Sequence, residues 1–173
     1  MTKGLVGIAR CLAPALLMLS LSGLPDIARA GSDAPLPLVL EDVAAGSATE
    51  LASGAAALHV VFFAPWCPSC VDELKALTEI EERWSDRGYR LILIAVRHRN
   101  TRERLLRFSE QQHAPGRIYL DASGEAQRSF AADEIPMHFL LDATGRVVGR
   151  WPGLAEEVEP AVRKLLLASS DGS

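Results

Sequence analysis

The sequence predicts an α/β fold in which one mixed central β-sheet carries helices on both faces. Three observations predict it. The runs from His59 to Ala64 and from Arg90 to Val96 show almost no polar alternation, as strands covered on both sides do. Each is followed by a stretch whose apolar residues recur at helical spacing. Near the C-terminus, two short apolar runs flank Asp142-Ala143-Thr144-Gly145, which reads as an antiparallel hairpin. Parallel strands joined by helical crossovers, with a hairpin at one side, make a mixed sheet. The chain has 173 residues, 49% apolar and 23% charged, enough for one domain with a real core. It shows no internal repeat.

The elements follow in order. Residues 31–57 form a leader punctuated by Pro35, Pro37, Gly46 and Gly54, in which Leu36 to Leu40 could add an edge strand. His59 to Ala64 is a central strand, and Pro65 to Cys70 a turn. From Cys70 a helix runs with Leu74, Leu77, Ile80 and Trp84 as its apolar stripe, and Gly88 stops it. Arg90 to Val96 is a second buried strand. Thr101 can cap a helix reaching about His113, and Pro115-Gly116 ends it. Arg117 to Leu120 is a third strand, followed by a turn and a brief helix from Glu125 to Ala131. Met137 to Leu141 and Arg146 to Arg150 are the hairpin strands. Ala155 to Leu167 closes the chain as an amphipathic helix, before a flexible tail at 169–173.

Residues 1–30 read as an export signal. Lys3 and Arg10 precede a largely apolar stretch from Cys11 to Leu24, and Ala28-Arg29-Ala30 supplies the small-x-small cleavage pattern. Pro14 and Gly23 interrupt the run, which falls short of the roughly 20 residues that span a bilayer; an uncleaved anchor is the other reading. Cys11 follows Arg10, the wrong setting for a lipidated cysteine. Removing residues 1–30 takes three of the 18 basic and one of the 22 acidic residues, changing the net charge from -4 to -6. No basic run points to nucleic acid or to an anionic membrane surface.

Cleavage would leave Cys67 and Cys70 as the only cysteines. A disulfide stabilises chiefly by closing a long loop in the unfolded chain. A pair three residues apart closes nearly the shortest loop, so a structural staple gains little. Half of a zinc site would need two further ligands, and His59, His98, His113 and His138 do not stand at the required spacing. No metal or cofactor is expected. Idle buried thiols fit poorly with an exposed turn. Chemistry explains the pair better. Cys67 falls at a helix start, exposed, where free N–H groups and the dipole favour a thiolate, the nucleophilic form. Pro68 suits the first helical turn. Cys70, one turn on, is placed to resolve a mixed disulfide formed at Cys67.

The segment Val60-Val61-Phe62-Phe63-Ala64-Pro65-Trp66-Cys67-Pro68-Ser69-Cys70 resembles the active-site strand and turn of the thioredoxin superfamily. More narrowly, it resembles the exported branch that includes TlpA, ResA and the cytochrome c-maturation thioredoxins. The run from Glu134 to Val148, with Ile135-Pro136 and Phe139-Leu140-Leu141-Asp142, resembles that branch's second motif. Together the motifs cover roughly Leu58 to Leu167, and the thioredoxin-like domain is placed at 58–168.

The resemblance implies an exported, periplasmic thiol–disulfide oxidoreductase, monomeric, that reduces disulfides of exported clients and is recharged by a membrane electron donor. It implies a cis bond at Ile135–Pro136 facing the cysteines, with both residues and Trp66 at the substrate site. It also implies a thiol-tuning role for Glu73, whose other reading is a solvated first-turn glutamate. Three departures stand out. Val61 occupies the strand position of a buried acid. Lys75 replaces a helix-kinking proline, which predicts a straighter helix. His138 replaces a small residue. The rival functions are a DsbA-like oxidase or isomerase, and a metallochaperone holding Cu(I) on the two cysteines. Against them stand the absence of a long helical insertion and of a suitably placed histidine.

Overall fold

The computed structural model describes residues 37–51, 54–153 and 155–170. The signal-like stretch 1–30, Cys11 within it, and residues 171–173 of the tail lie outside the described residues. The leader holds more structure than its composition suggests. β1 (Leu38–Asp42) and β2 (Ser47–Leu51) form an antiparallel hairpin there. The first is the expected strand, shifted by two residues, and it lies inside the sheet between β2 and β5 rather than at the edge. The second was hidden because most of its residues face outward, leaving Leu51 as its only fully buried side chain.

β3 (Ala57–Phe63) follows, then α1 (Pro68–Asp72), α2 (Leu74–Trp84), β4 (Tyr89–Ala95), α3 (Arg102–Gln112) and β5 (Arg117–Leu120). α4 (Glu125–Ser129), β6 (Met137–Asp142), β7 (Val147–Pro152) and α5 (Ala155–Ser170) complete the order. The sheet runs β2-β1-β5-β4-β3-β6-β7. β3, β4 and β5 are parallel, and the remaining pairs are antiparallel. Every residue of β3 is buried, as its unbroken apolar run requires.

Alternation along β3 sorts the layers. His59, Val61 and Phe63 share one face. There Phe63 meets Phe108 of α3 at 5.6 Å between ring centroids, α2 packs on β4, and α5 packs on β3 and β6. Phe62 points the other way, onto Phe130 at the end of α4 and Phe139 of β6, at 5.4 and 5.8 Å. The helices therefore cover both faces unequally. Right-handed crossovers that step the same way along the sheet put α2 and α3 on one side.

The helix stop at Gly88 and the hairpin-loop glycine at Gly145 act as expected. Gly88 and Gly145 take φ of +86° and +84°, a region open to glycine without a side-chain clash. Thr101 caps α3, its Oγ1 accepting from the backbone N–H of Arg104 at 3.4 Å.

One residue interrupts the helix that follows the cysteines. Lys75 allows an unbroken helix, yet the structure divides it into α1 and α2 at Glu73. The interruption falls at the residue whose carboxylate accepts from His138. Among the described residues, no helix is long and apolar enough to cross a membrane.

Candidate active site

The turn from β3 into α1 places both cysteines. Cys67 and Cys70 are joined in a disulfide, with Cα atoms 5.3 Å apart. Cys67 is the N-cap of α1. Its Sγ accepts from the backbone N–H of Cys70 at 3.3 Å, and the Ser69 hydroxyl lies 3.4 Å away. Pro68 opens the helix, where its lack of an N–H leaves no bond unmade.

Cys67 was expected to be exposed, and it is not. Its exposure is 5%, against 3% for Cys70. The exposed residues of the turn are Trp66, Pro68 and Ser69. They cover a disulfide that sits just beneath the surface. Because α1 is only five residues long, direct donors such as the Cys70 N–H matter more to a Cys67 thiolate than a long helix dipole would.

The second motif reaches the same place. Ile135–Pro136 is a cis peptide bond, and the Ile135 carbonyl oxygen lies 3.9 Å from Cys67 Sγ. The Pro136 carbonyl accepts from the backbone N–H of Gly153 at 3.0 Å, tying this loop to the residue that follows β7. Trp66 is 40% exposed and donates from Nε1 to the His98 carbonyl at 3.1 Å, with its ring set edge-on to His98. The Ile135 carbonyl thus brings the cis-proline loop to Cys67, while Trp66 beside it is the exposed member of the group.

Glu73 is not a solvated first-turn residue. It is buried, and its Oε2 accepts from His138 Nε2 at 2.8 Å. Its other oxygen lies on the Gly153 side, 3.5 Å from where a β-carbon at that glycine would stand. Val61 does leave β3 without an acid. The buried carboxylate comes instead from the helix break, and His138, which pairs with Val61 across the strands, holds it.

Sequence reasoning missed what lies behind His138. Its Nδ1 is 3.0 Å from His59 Nε2, and His59 Nδ1 is 2.7 Å from the Tyr89 hydroxyl. The signal was present: one histidine in each of two otherwise apolar strands. Register makes them neighbours. His59 pairs with Leu140 in β6 and with Leu91 in β4. His138 and Tyr89 are therefore diagonal to it on the same face, within reach of long side chains. Burial, together with the neighbouring His138, pushes the His59 pKa well below its usual value. Burial, then Glu81 and Glu159, pushes that of Tyr89 well up.

A family model described as the AhpC/TSA family matches residues 33–150, more than half of the chain. The thiol-disulfide oxidoreductase ResA of Bacillus thuringiensis subsp. konkukian is 24% identical over 106 residues, covering 60% of this chain and 60% of that protein. A thiol:disulfide interchange protein of the thioredoxin family from Chlorobium tepidum is 25% identical, with a TM-score of 0.61 over 79% of this chain and 99% of its own. A secreted disulfide oxidoreductase of Mycobacterium tuberculosis, described as homologous to E. coli DsbE, is 16% identical, with a TM-score of 0.64 over 75% of this chain and 97% of its own. The fold is thioredoxin-like, as the two motifs imply.

Proposed function

The chain belongs to the AhpC/TSA family, and on that premise we propose that it is an exported thiol–disulfide oxidoreductase that reduces disulfides of exported client proteins. One observation carries the reading. The Cys67–Cys70 disulfide lies at the head of a buried strand, with the Ile135 carbonyl 3.9 Å from Cys67 Sγ, where an extended client backbone can pair beside the reacting sulfur. The names of the ResA, interchange and DsbE-like relatives support the same chemistry.

In the forward reaction Cys67 thiolate attacks a client disulfide, forming a mixed disulfide and releasing one client thiolate. Cys70 gives up its proton and attacks Cys67 Sγ. The bond from Cys67 to the client breaks, and the second client sulfur leaves with the electron pair. Two electrons have passed from the cysteine pair to the client, and a membrane electron donor restores the dithiol. In this reading Glu73, three residues beyond Cys70 at the end of α1, accepts the Cys70 proton. In this reading residues 1–30 carry the chain into the periplasm or anchor it there, residues 58–168 do the exchange, and clients include the haem-site thiols of apocytochrome c.

The direction rests on charge. Cys67 Sγ has the Cys70 N–H, the Ser69 hydroxyl and the Ile135 carbonyl around it, and none of these is a cation. A thiolate without a cationic partner stabilises the reduced form little, so the couple is reducing. Equilibration with glutathione buffers at pH 7, read by mass after alkylation, tests this. A potential at or below about -200 mV is expected; a value near about -120 mV would overturn it in favour of an oxidase.

A further inference from the structure

The chain carries a net charge of -4, yet five arginines fall among residues 97–107, with Glu103 the one acid between them. The fold sorts these arginines. Arg102 turns away, its Nη2 donating to the Ala44 carbonyl at 3.4 Å. Arg97 and Arg99 stand exposed in the loop after β4, and Arg104 and Arg107 stand exposed on α3. Arg128 of α4 joins them from elsewhere in the chain.

Two hollows beside the active-site turn result. The larger, of about 670 Å³, is lined by Arg97, Arg99 and Arg128, and Asp133 is the one acid among the described residues that line it. The smaller, of about 350 Å³, lies between Pro65 and Val71, which flank the cysteines, and Arg104 and Arg107; no acid among the described residues lines it. Among the described residues, no carboxylate lies within ion-pair distance of these five arginines, although Glu103 bears on Arg107 from farther off. Arg104 and Arg128 each donate to one backbone carbonyl, of Arg99 at 3.0 Å and of Ser123 at 3.3 Å. A guanidinium has five N–H donors, so both keep donors for another acceptor.

The larger hollow is tied to the sulfurs at both lips. On one side the carbonyl of His98, between Arg97 and Arg99, accepts from Trp66 Nε1 at 3.1 Å. On the other, Asp133 stands two residues before Ile135, so at most about 7 Å of chain separates them. The Ile135 carbonyl in turn lies 3.9 Å from Cys67 Sγ. A client strand paired beside Ile135 and running toward Asp133 brings residues two or three positions from its reacting cysteine to this hollow.

We propose that these arginines are a docking surface for clients that carry Asp or Glu beside the disulfide. This names the client class of the exchange reaction proposed above and rests on it. Guanidinium forks match carboxylates in shape as well as charge. Cationic hollows in an anionic protein draw an acidic segment in and turn a basic one away, an effect on encounter that salt weakens. None of the arginines bonds to Cys67 Sγ, so they select the client and leave the exchange to the cysteines. Their place beside the sulfurs favours a client segment over a lipid surface.

Synthetic peptides that hold one disulfide loop, flanked by Asp, by Ser or by Lys, test the proposal. Each second-order rate with the reduced full-length protein is divided by the rate with dithiothreitol, which removes the peptide's own reactivity. At about 0.01 M ionic strength the Asp peptide should outrun the Lys peptide at least about tenfold, and at about 1 M the gap should close. Arg97→Gln, Arg99→Gln and Arg128→Gln together should cut the low-salt gap to about threefold or less. Arg90→Gln, Arg163→Gln and Lys164→Gln, which remove the same charge away from both hollows, should leave it intact. Equal rates for the Asp and Lys peptides, or a gap undiminished by the first three substitutions, would overturn the docking surface, while reduction of the Ser peptide would still uphold the exchange reading. A wild-type protein that reduces none of the peptides would overturn both. Retention on vesicles of anionic phospholipid, with equal peptide rates, would assign the arginines to a lipid surface instead.

Discussion

His59 Nε2 and His138 Nδ1 face each other at 3.0 Å across two antiparallel strands, both histidines wholly enclosed. Two imidazoles so close cannot both be charged without strong repulsion, and burial penalises even one charge. The contact is therefore a hydrogen bond that requires at least one neutral ring. It couples the protein's stability to pH.

The stability consequence has a definite sign. His59 in the folded state is held well below its usual value of 6.5 by burial and then by His138, whereas the unfolded chain leaves it ordinary. Below about pH 6.5 the unfolded state binds a proton that the folded state refuses, so folding weakens as pH falls. One such group contributes a slope of at most about 1.4 kcal/mol per pH unit. Urea midpoints of the oxidised protein are expected to drop steadily from pH 7 to pH 5, and His59→Phe should flatten that slope. A wild-type midpoint constant over this range would exclude a neutral buried His59.

The two motifs gave up the site readily because its chemistry is local. A C-x-x-C at a strand-to-helix turn positions both sulfurs through one helical turn, and Pro136 lies in a run with its own pattern. His59, Tyr89 and the role of His138 were illegible because they depend on register. A one-residue slip would put His59 on the other face, toward Phe130, with no partner. The strand at Ser47–Leu51 was missed for a related reason, since four of its five residues are not fully buried and show no apolar alternation. The partner that buries Glu73 stands 65 residues away.

The far face of the sheet depends on three rings. Phe62, wholly buried, packs on Phe130 and Phe139, and those two stand 4.9 Å apart, edge to face. α4 is a helix of five residues, held also by the Asp121 carboxylate, which accepts from the Gln127 N–H at 2.9 Å, and by buried Ala126. Phe62→Ala is expected to cost about 3–5 kcal/mol by leaving a cavity between them. Chemical denaturation measures it; a loss under about 1 kcal/mol would mean that the face collapses around the gap.

Export is tested by the N-terminus. The pattern that ends at Ala28-Arg29-Ala30 predicts a mature chain beginning at Gly31. Intact-mass analysis of protein recovered from the periplasm should give that start. Retention of residues 1–30, with the protein in the membrane fraction, would show an anchored form.

The roles of the two sulfurs follow from the turn. Cys67 Sγ lies at the helix cap, in reach of the Cys70 N–H and the Ser69 hydroxyl, and 3.9 Å from the carbonyl that a client strand would approach. Cys70 lies one turn inside the helix and is buried. Attack is therefore assigned to Cys67, the sulfur at the helix cap beside the Ile135 carbonyl. Cys70→Ser should then hold clients as stable mixed disulfides, because the group that releases them is gone. Cys67→Ser should hold none, although it keeps a free thiol. Non-reducing gels of each variant, followed by identification of the captured proteins, decide between the sulfurs. Capture by Cys67→Ser in place of Cys70→Ser would reverse the assignment and move the proton-accepting role of Glu73 from the closing step to the opening one.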